Sequence, residues 1–297
     1  MDLKKSVGKL GVWVFFDGLS AGETAKTVQT LESMGVAALW VPEAAGRDPF
    51  AFLGFLAGQT NSIYLATGIA NIYARGTMAM KAASHTVQEA SKGRFILGLG
   101  VSHREGVGPV WHQDYGKPVP TMRAFLESMH AGPYRGPKHP VDVPIVLATL
   151  RSKMLTLAKE VADGAHPYFT PPEHTARARE IIGHDKWLAP EQAVVFEKDP
   201  TTARRTAREY MSVYLRLENY RNNLKTLGFR EDDLEKDGSD RLVDAIVAWG
   251  DEKTIYQRIE DHWHAGADHV CVQTLSSSGA PGVDLDFFRA ISQLHHE

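Results

Sequence analysis

The stretch Gly93-Arg94-Phe95-Ile96-Leu97-Gly98-Leu99-Gly100-Val101-Ser102-His103 decides the fold class. Its apolar residues run without alternation, as in a strand covered on both faces, and such strands belong to parallel sheets packed under helices. Gly98 and Gly100 lack a Cβ and so admit close approach of a flat ligand or of another backbone. The run is not a dinucleotide fingerprint, because the third glycine and the helix that should follow are absent from the pattern. His103 closes it at the strand's C-terminal end.

Similar runs recur on either side, at residues 10–16, 37–41, 63–70, 144–150, 164–169, 193–196 and 269–275, which makes eight with the first. Between them lie segments of helical period with recognisable ends. Ser20 and Glu23 form a capping-box pair ahead of Ala25, Val28, Leu31 and Met34, and Gly35 stops that helix. Thr77, Thr121, Ser152, Thr170 with Pro171 and Pro172, and Asp199 with Pro200 are further expected helix starts. Eight alternating units fit an α/β fold of one (β/α)8 TIM barrel, a single domain over residues 1–297. The spacing breaks once, where about 70 residues separate the seventh run from the eighth, more than one crossover requires. Helical insertions are expected there, at about 200–250, with residues 241–249 read as helix. A milder excess at 103–120 carries Trp111, His112 and Tyr115.

The composition excludes several classes of function. With 33 basic and 36 acidic side chains and a net charge of −3, the chain offers no basic surface for nucleic acid. A single cysteine, Cys271, rules out an intrachain disulfide or a multi-cysteine metal site and reads as a small buried hydrophobe. No stretch reaches the about 18 apolar residues of a membrane span, and the expected location is the cytoplasm. His262 and His264 stand at a spacing that turns two imidazoles apart on a helix, so no metal is expected.

In a barrel, ligands are bound at the C-terminal ends of the strands. Those ends present Phe16, Glu43, Asn71, His103, Thr149, Arg151, Tyr168 and Gln273 among others. An imidazole titrates near neutrality, which makes His103 a candidate proton donor or acceptor as well as an ordinary loop histidine. Thr149, Leu150, Arg151 and Ser152 lie at the junction of the fifth strand and its helix. A helix N-terminus with flanking cations can seat a phosphate, although the same residues also describe a capped helix with solvated charges.

Several segments in this order resemble the luciferase-like monooxygenase superfamily, and within it the actinobacterial branch that uses the deazaflavin coenzyme F420. They are Ala66-Thr67-Gly68-Ile69-Ala70-Asn71-Ile72-Tyr73-Ala74-Arg75, Ser84-His85-Thr86, Glu89-Ala90-Ser91-Lys92-Gly93-Arg94-Phe95 with its strand, Lys153-Met154-Leu155, Ala162-Asp163-Gly164, Tyr214-Leu215 and Ala265-Gly266-Ala267-Asp268. The resemblance implies a barrel with insertions and a cis peptide at Gly68-Ile69 supporting the cofactor ring, with Asn71 close by. It also implies that Thr149, Leu150, Arg151 and Ser152 hold the cofactor phosphate; Arg151-Ser152 replaces the Gly-Pro that many relatives have. Glu43-Ala44 lacks the histidine that follows the acid in related sugar and alcohol dehydrogenases. His103 stands where such relatives carry a catalytic glutamate.

The expected activity is therefore hydride transfer between deazaflavin C5 and a small organic substrate, with His103 as acid/base and Glu43 orienting the site. Trp13, Phe16, Trp111, Tyr168 and Tyr220 are candidate walls of the substrate pocket. A homodimer is expected by analogy, with no obligatory protein partner. The alternatives are an FMN-dependent monooxygenase needing a reductase partner, and a non-redox barrel enzyme or binding protein.

Overall fold

The computed structural model describes residues 2–296. After a single turn α1 (Leu3–Ser6), strands and helices alternate: β1 (Leu10–Trp13), α2 (Ala21–Ser33), β2 (Ala38–Val41), α3 (Pro49–Ala57), β3 (Tyr64–Thr67), β4 (Ala70–Asn71) and α4 (Thr77–Ala90). Then come β5 (Phe95–Gly100), α5 (Arg104–Trp111), α6 (Pro118–Ala131), β6 (Ile145–Ala148), α7 (Ser152–Val161), β7 (Gly164–His166), α8 (Pro172–Ile182), β8 (Trp187–Leu188) and β9 (Glu191–Val195). The last part runs α9 (Pro200–Tyr214), α10 (Glu218–Thr226), α11 (Glu231–Leu234), α12 (Asp240–Ile246), β10 (Val247–Trp249), α13 (Glu252–His264), β11 (Val270–Thr274) and α14 (Leu285–His296).

The strands form one parallel sheet in the order β10-β9-β11-β1-β2-β3-β5-β6-β7-β8, with β4 on β5. It curls back on itself through a single stretch. Pro190, which has no N–H to donate, interrupts that stretch between β8 and β9. On one side Ala189 N and Glu191 N donate to Ala165 O and Pro167 O of the β7 segment; on the other, Cys271 N donates to Pro190 O. This is a curled α/β architecture with helices outside, as the unbroken apolar runs require.

The strands alternate strictly about this curve. In β1, Leu10 and Val12 face the outer helices, while Gly11 and Trp13 face inward. A Cβ on Gly11 would lie 2.3 Å from His269 Nε2, so the interior admits no side chain there. The inner layer holds Trp13, Trp40, Ile96, Val146, Trp187 and Cys271. A separate apolar cluster joins β9 and β10 to α9, α10 and α12.

Several local expectations are met. Ser20 Oγ accepts from Glu23 N while Glu23 Oε2 accepts from Ser20 N, and Asp199 accepts from Thr202 N ahead of Pro200. Cys271 is buried, and His262 is held inside by Thr175 and Gln192. Others are corrected. The cis peptide expected between Gly68 and Ile69 is present, but the 63–70 run is not one strand: it is broken there into β3 and β4. Residues 247–249 are strand, because Val247, Ala248 and Trp249 pair with Ala193, Val194 and Val195 and this tertiary ladder overrides the helical period. The helix read from Thr121 starts at Pro118, the cap before α4 is Gly76, and Thr170 does not cap α8, which begins after Pro171. A helix does follow the Gly98-Gly100 strand, since His103 precedes α5 directly.

Candidate active site

Gly98 and Gly100 receive another part of the chain rather than a ligand. A Cβ on Gly98 would sit 2.0 Å from Thr67 O, and one on Gly100 would sit 2.4 Å from Ile69 Cδ1. Thr67 Oγ1 donates to Gly98 O (2.8 Å) and accepts from Gly98 N (2.9 Å), which clamps β3 to β5 just before the cis turn. The turn is braced on its other side by Trp13, whose Nε1 donates to Gly68 O at 2.7 Å.

Glu43 and Asn71 complete this corner. Glu43 N donates to Ile69 O, and Asn71 N donates to Glu43 Oε2 at 2.7 Å. The Arg75 guanidinium grips both carboxylate oxygens and also reaches Asp48 at 3.0 Å. With side-chain exposures of 5% and 14%, Glu43 and Arg75 are a partly buried, bidentate pair. Glu43 therefore accepts hydrogen bonds and holds the turn; the arrangement suits orientation better than delivery of a proton.

His103 stands at the start of α5 with its ring 5.4 Å from that of Tyr220. Burial lowers the His103 pKa below the ordinary imidazole value, with Glu105 opposing, so the ring is neutral at pH 7. Tyr220 comes from α10, some 117 residues away in the sequence, and only the extra helices bring it here.

The junction of β6 and α7 has the features of an anion seat. Arg151 precedes α7 and no side chain caps its first turn; Met154 N donates to Arg151 O, while Ser152 N and Lys153 N have no partner among the described residues. The Thr149 hydroxyl is buried without a hydrogen-bond partner among the described residues. Leu150 O accepts from His174 Nε2 at 2.6 Å, which fixes the loop from below. Arg151 and Ser152 are exposed. A phosphate would satisfy both the free donors and the Thr149 hydroxyl.

Aromatic residues wall the opposite side. Trp13 lies 5.0 Å from Tyr168, and Tyr168 Oη is within 2.7 Å of Tyr214 Oη and donates to Gln273 Oε1 at 2.9 Å. Phe169, held at φ 59°, packs 5.0 Å from Tyr214 and 5.4 Å from Tyr220. Behind them Glu191 accepts from Phe169 N at 3.1 Å.

Trp13, Tyr168, Tyr220 and His103 are thus linked by ring contacts through Tyr214. Two expected wall residues are not. Phe16 is 2% exposed and packs on Phe52 in the outer core, since one step along β1's alternation points it away from the interior. Its neighbour Phe15, 41% exposed and edge-on to Trp13 at 5.0 Å, takes that place. Trp111 stands partly exposed at the end of α5, with no ring contact to this wall among the described residues. Sequence reading also missed Tyr210, Tyr214 and Glu191. The first two form an i, i+4 pair on α9 and were legible as one face; Glu191 carries no signal in one dimension.

A surface groove of about 690 Å³ lies elsewhere, on the outer side of α9, lined by Arg204, Arg205, Arg208, Arg216, Asp237 and Asp240. Among the described residues no group of three or more His, Cys, Asp or Glu side chains is arranged to hold a metal, and no helix is long and apolar enough to cross a membrane.

Comparison with known proteins places this geometry. The family model described as luciferase-like monooxygenase matches residues 9–269. A Mycobacterium tuberculosis protein whose name assigns it to the coenzyme F420-dependent oxidoreductases is 29% identical over 195 residues, 55% of this chain and 56% of that protein. The chain thus spans about half the length of that curated relative. The coenzyme F420-dependent tetrahydromethanopterin reductase of Methanopyrus kandleri superposes with a TM-score of 0.72 over 98% of this chain and 99% of that one, at 18% identity. The oxygenating constituent of 3,6-diketocamphane monooxygenase from Pseudomonas putida, in complex with FMN, gives 0.71 over 96% and 97%, at 16% identity. Both structures share the fold.

Proposed function

The chain belongs to the luciferase-like monooxygenase family, and from that premise we propose that it is a coenzyme F420-dependent oxidoreductase acting on a small organic substrate. The observation that carries the cofactor assignment is the uncapped start of α7 beside the buried, unpartnered Thr149 hydroxyl. The named Mycobacterium relative supports F420 over other cofactors with a phosphate.

In this reading Thr149, Leu150, Arg151 and Ser152 hold the phosphate, through backbone N–H groups, the threonine hydroxyl and the guanidinium. Gly68, Ile69 and Asn71 form the support for the ring, with Trp13 and Glu43 keeping the turn in place. When bound, the deazaflavin supplies the C5 position that gives or takes a hydride; the protein supplies binding and orientation. His103, neutral at pH 7, holds or receives the proton that accompanies the hydride, as a general acid/base. The ring wall of Trp13, Tyr168, Tyr214 and Tyr220 packs against the substrate and excludes water. We place the insertion at about 200–250 of a single barrel domain, and we propose a homodimer with no obligatory protein partner, in the cytoplasm.

Equilibrium titration of the purified protein with F420 and with FMN tests the assignment. Saturable binding of F420, tighter than FMN, is expected. The reverse preference would move the reading to an FMN monooxygenase with a reductase, and binding of neither would end the redox reading. For His103→Ala, single-turnover hydride transfer should slow by about 10²- to 10⁴-fold, the usual contribution of a general acid/base. An unchanged rate would return His103 to loop solvation.

A further inference from the structure

Gln273 stands near the C-terminal end of β11, on the side turned to the interior. Val270 and Val272 pack into the outer core and Cys271 into the inner layer, so the next inward position is Gln273. Val272 lies opposite Val12 of β1, and the residues that follow them, Gln273 and Trp13, share the inner face. Gln273 is 8% exposed. A polar side chain this buried needs hydrogen-bond partners, and only half of its amide has one. Oε1 accepts from Tyr168 Oη at 2.9 Å. Nε2 donates to no group among the described residues, yet it is not one of the unpartnered polar atoms sealed inside the core, so it opens into the site.

Two phenols hold the amide in this orientation. The Tyr214 hydroxyl is hydrogen-bonded to no group but Tyr168 among the described residues, at 2.7 Å, so its hydrogen goes there, and Tyr168 gives its own hydrogen to Gln273 Oε1. A turned amide would set Nε2 against Tyr168 and leave the Tyr214 hydrogen without a protein acceptor. With the hydrogens of Tyr168 and Tyr214 committed, the Gln273 N–H pair is the free donor of this stretch of wall. Among the described residues no Lys or Arg stands over the rings of Trp13, Tyr168, Tyr214 or Tyr220. A carboxylate bound there would lack a countercharge, whereas a carbonyl oxygen needs only a donor.

We infer that Gln273 determines specificity by donating from Nε2 to a neutral carbonyl oxygen of the substrate, so that the site takes an uncharged carbonyl compound. Tyr168 and Tyr214 are positioning residues that keep the N–H side of the amide turned to that oxygen. The inference rests on the reading of the strand-end wall as the place where substrate binds.

Side-chain amide NMR of the full chain, titrated with cyclohexanone and with methylenecyclohexane, tests the contact. The two probes have the same ring shape, and only the first carries an acceptor oxygen. The Gln273 N–H pair is identified as the signal missing from Gln273→Glu, which keeps an oxygen for Tyr168 and loses the donor. That pair should shift saturably with cyclohexanone and stay in place with methylenecyclohexane. No shift with cyclohexanone, or an equal shift with both probes, overturns the inference. Cyclohexanone affinity should fall about tenfold in Gln273→Leu and at least as far in Gln273→Glu, the usual loss of one hydrogen bond to a neutral acceptor. Methylenecyclohexane affinity should be unchanged in Gln273→Leu. A loss for both probes would show a structural role only, and cyclohexanone affinity unchanged in either variant would also overturn the inference. No arm uses a cofactor, so the Gln273 contact is decided even where F420 fails to bind, and the two failures remain separate.

Discussion

At the scale of single residues, Phe15 and Phe16 show how one step along a strand exchanges roles. Phe16→Ala removes a ring from the closed outer core and should cost about 3–5 kcal/mol in urea unfolding. Phe15→Ala should leave that midpoint nearly unmoved and, if the proposed substrate wall is right, raise KM, since the ring stands beside Trp13 of that wall. An equal loss of stability in both would contradict the alternation. Arg75→Ala leaves the partly buried Glu43 carboxylate without its cation and with the Asn71 N–H as a remaining donor, and a loss of about 1–3 kcal/mol is expected, read as an earlier denaturation midpoint. The candidate residues His103, Glu43, Thr149 and Tyr168 were legible because strand ends are legible. Glu191 was not, because burial of an acid is a property of what folds over it.

At the scale of elements, continuous apolar runs and capping signals located the strands and most helices, as with Ser20 and Glu23 before α2. Where two elements press together, local signals were insufficient. Gly98 and Gly100 read equally as room for a ligand or for a backbone, and only the packing of β3 against β5 decides for the chain itself. Gly98→Ala would drive a methyl into Thr67 O, a backbone atom that cannot turn aside, whereas Gly100→Ala meets the end of the Ile69 side chain. Gly98→Ala should therefore be the more destabilising in thermal melts. The opposite order would show that the Ile69 side chain, next to the cis turn, is the less yielding of the two. β10 teaches the same lesson: its residues continue a helical pattern until they find an open edge on β9.

At the scale of the molecule, four histidines among the described residues are enclosed in neutral form. His166, His174 and His269 have pKa values lowered to about 4, and His262 to about 3, with burial the leading cause in each. A depressed folded pKa gives a contribution to stability that is complete above the ordinary imidazole value of about 6.5 and is lost as pH falls toward 4. Unfolding free energy should therefore fall through that window, by up to about 1.4 kcal/mol per histidine per pH unit, and the melting temperature should fall with it. A melting temperature unchanged between pH 6.5 and pH 4.5 would mean that these rings are protonated at little cost. By itself the sequence determined the parallel α/β class, the eight apolar runs, the surplus before the last strand and the residues at most strand ends, because periodicity and caps are local. The tertiary structure alone decided which side of β1 faces the site, which glycines serve packing, and that Tyr214 and Tyr220 reach across to Tyr168 and His103. Those outcomes depend on contacts between segments more than a hundred residues apart in places, and no local propensity records them.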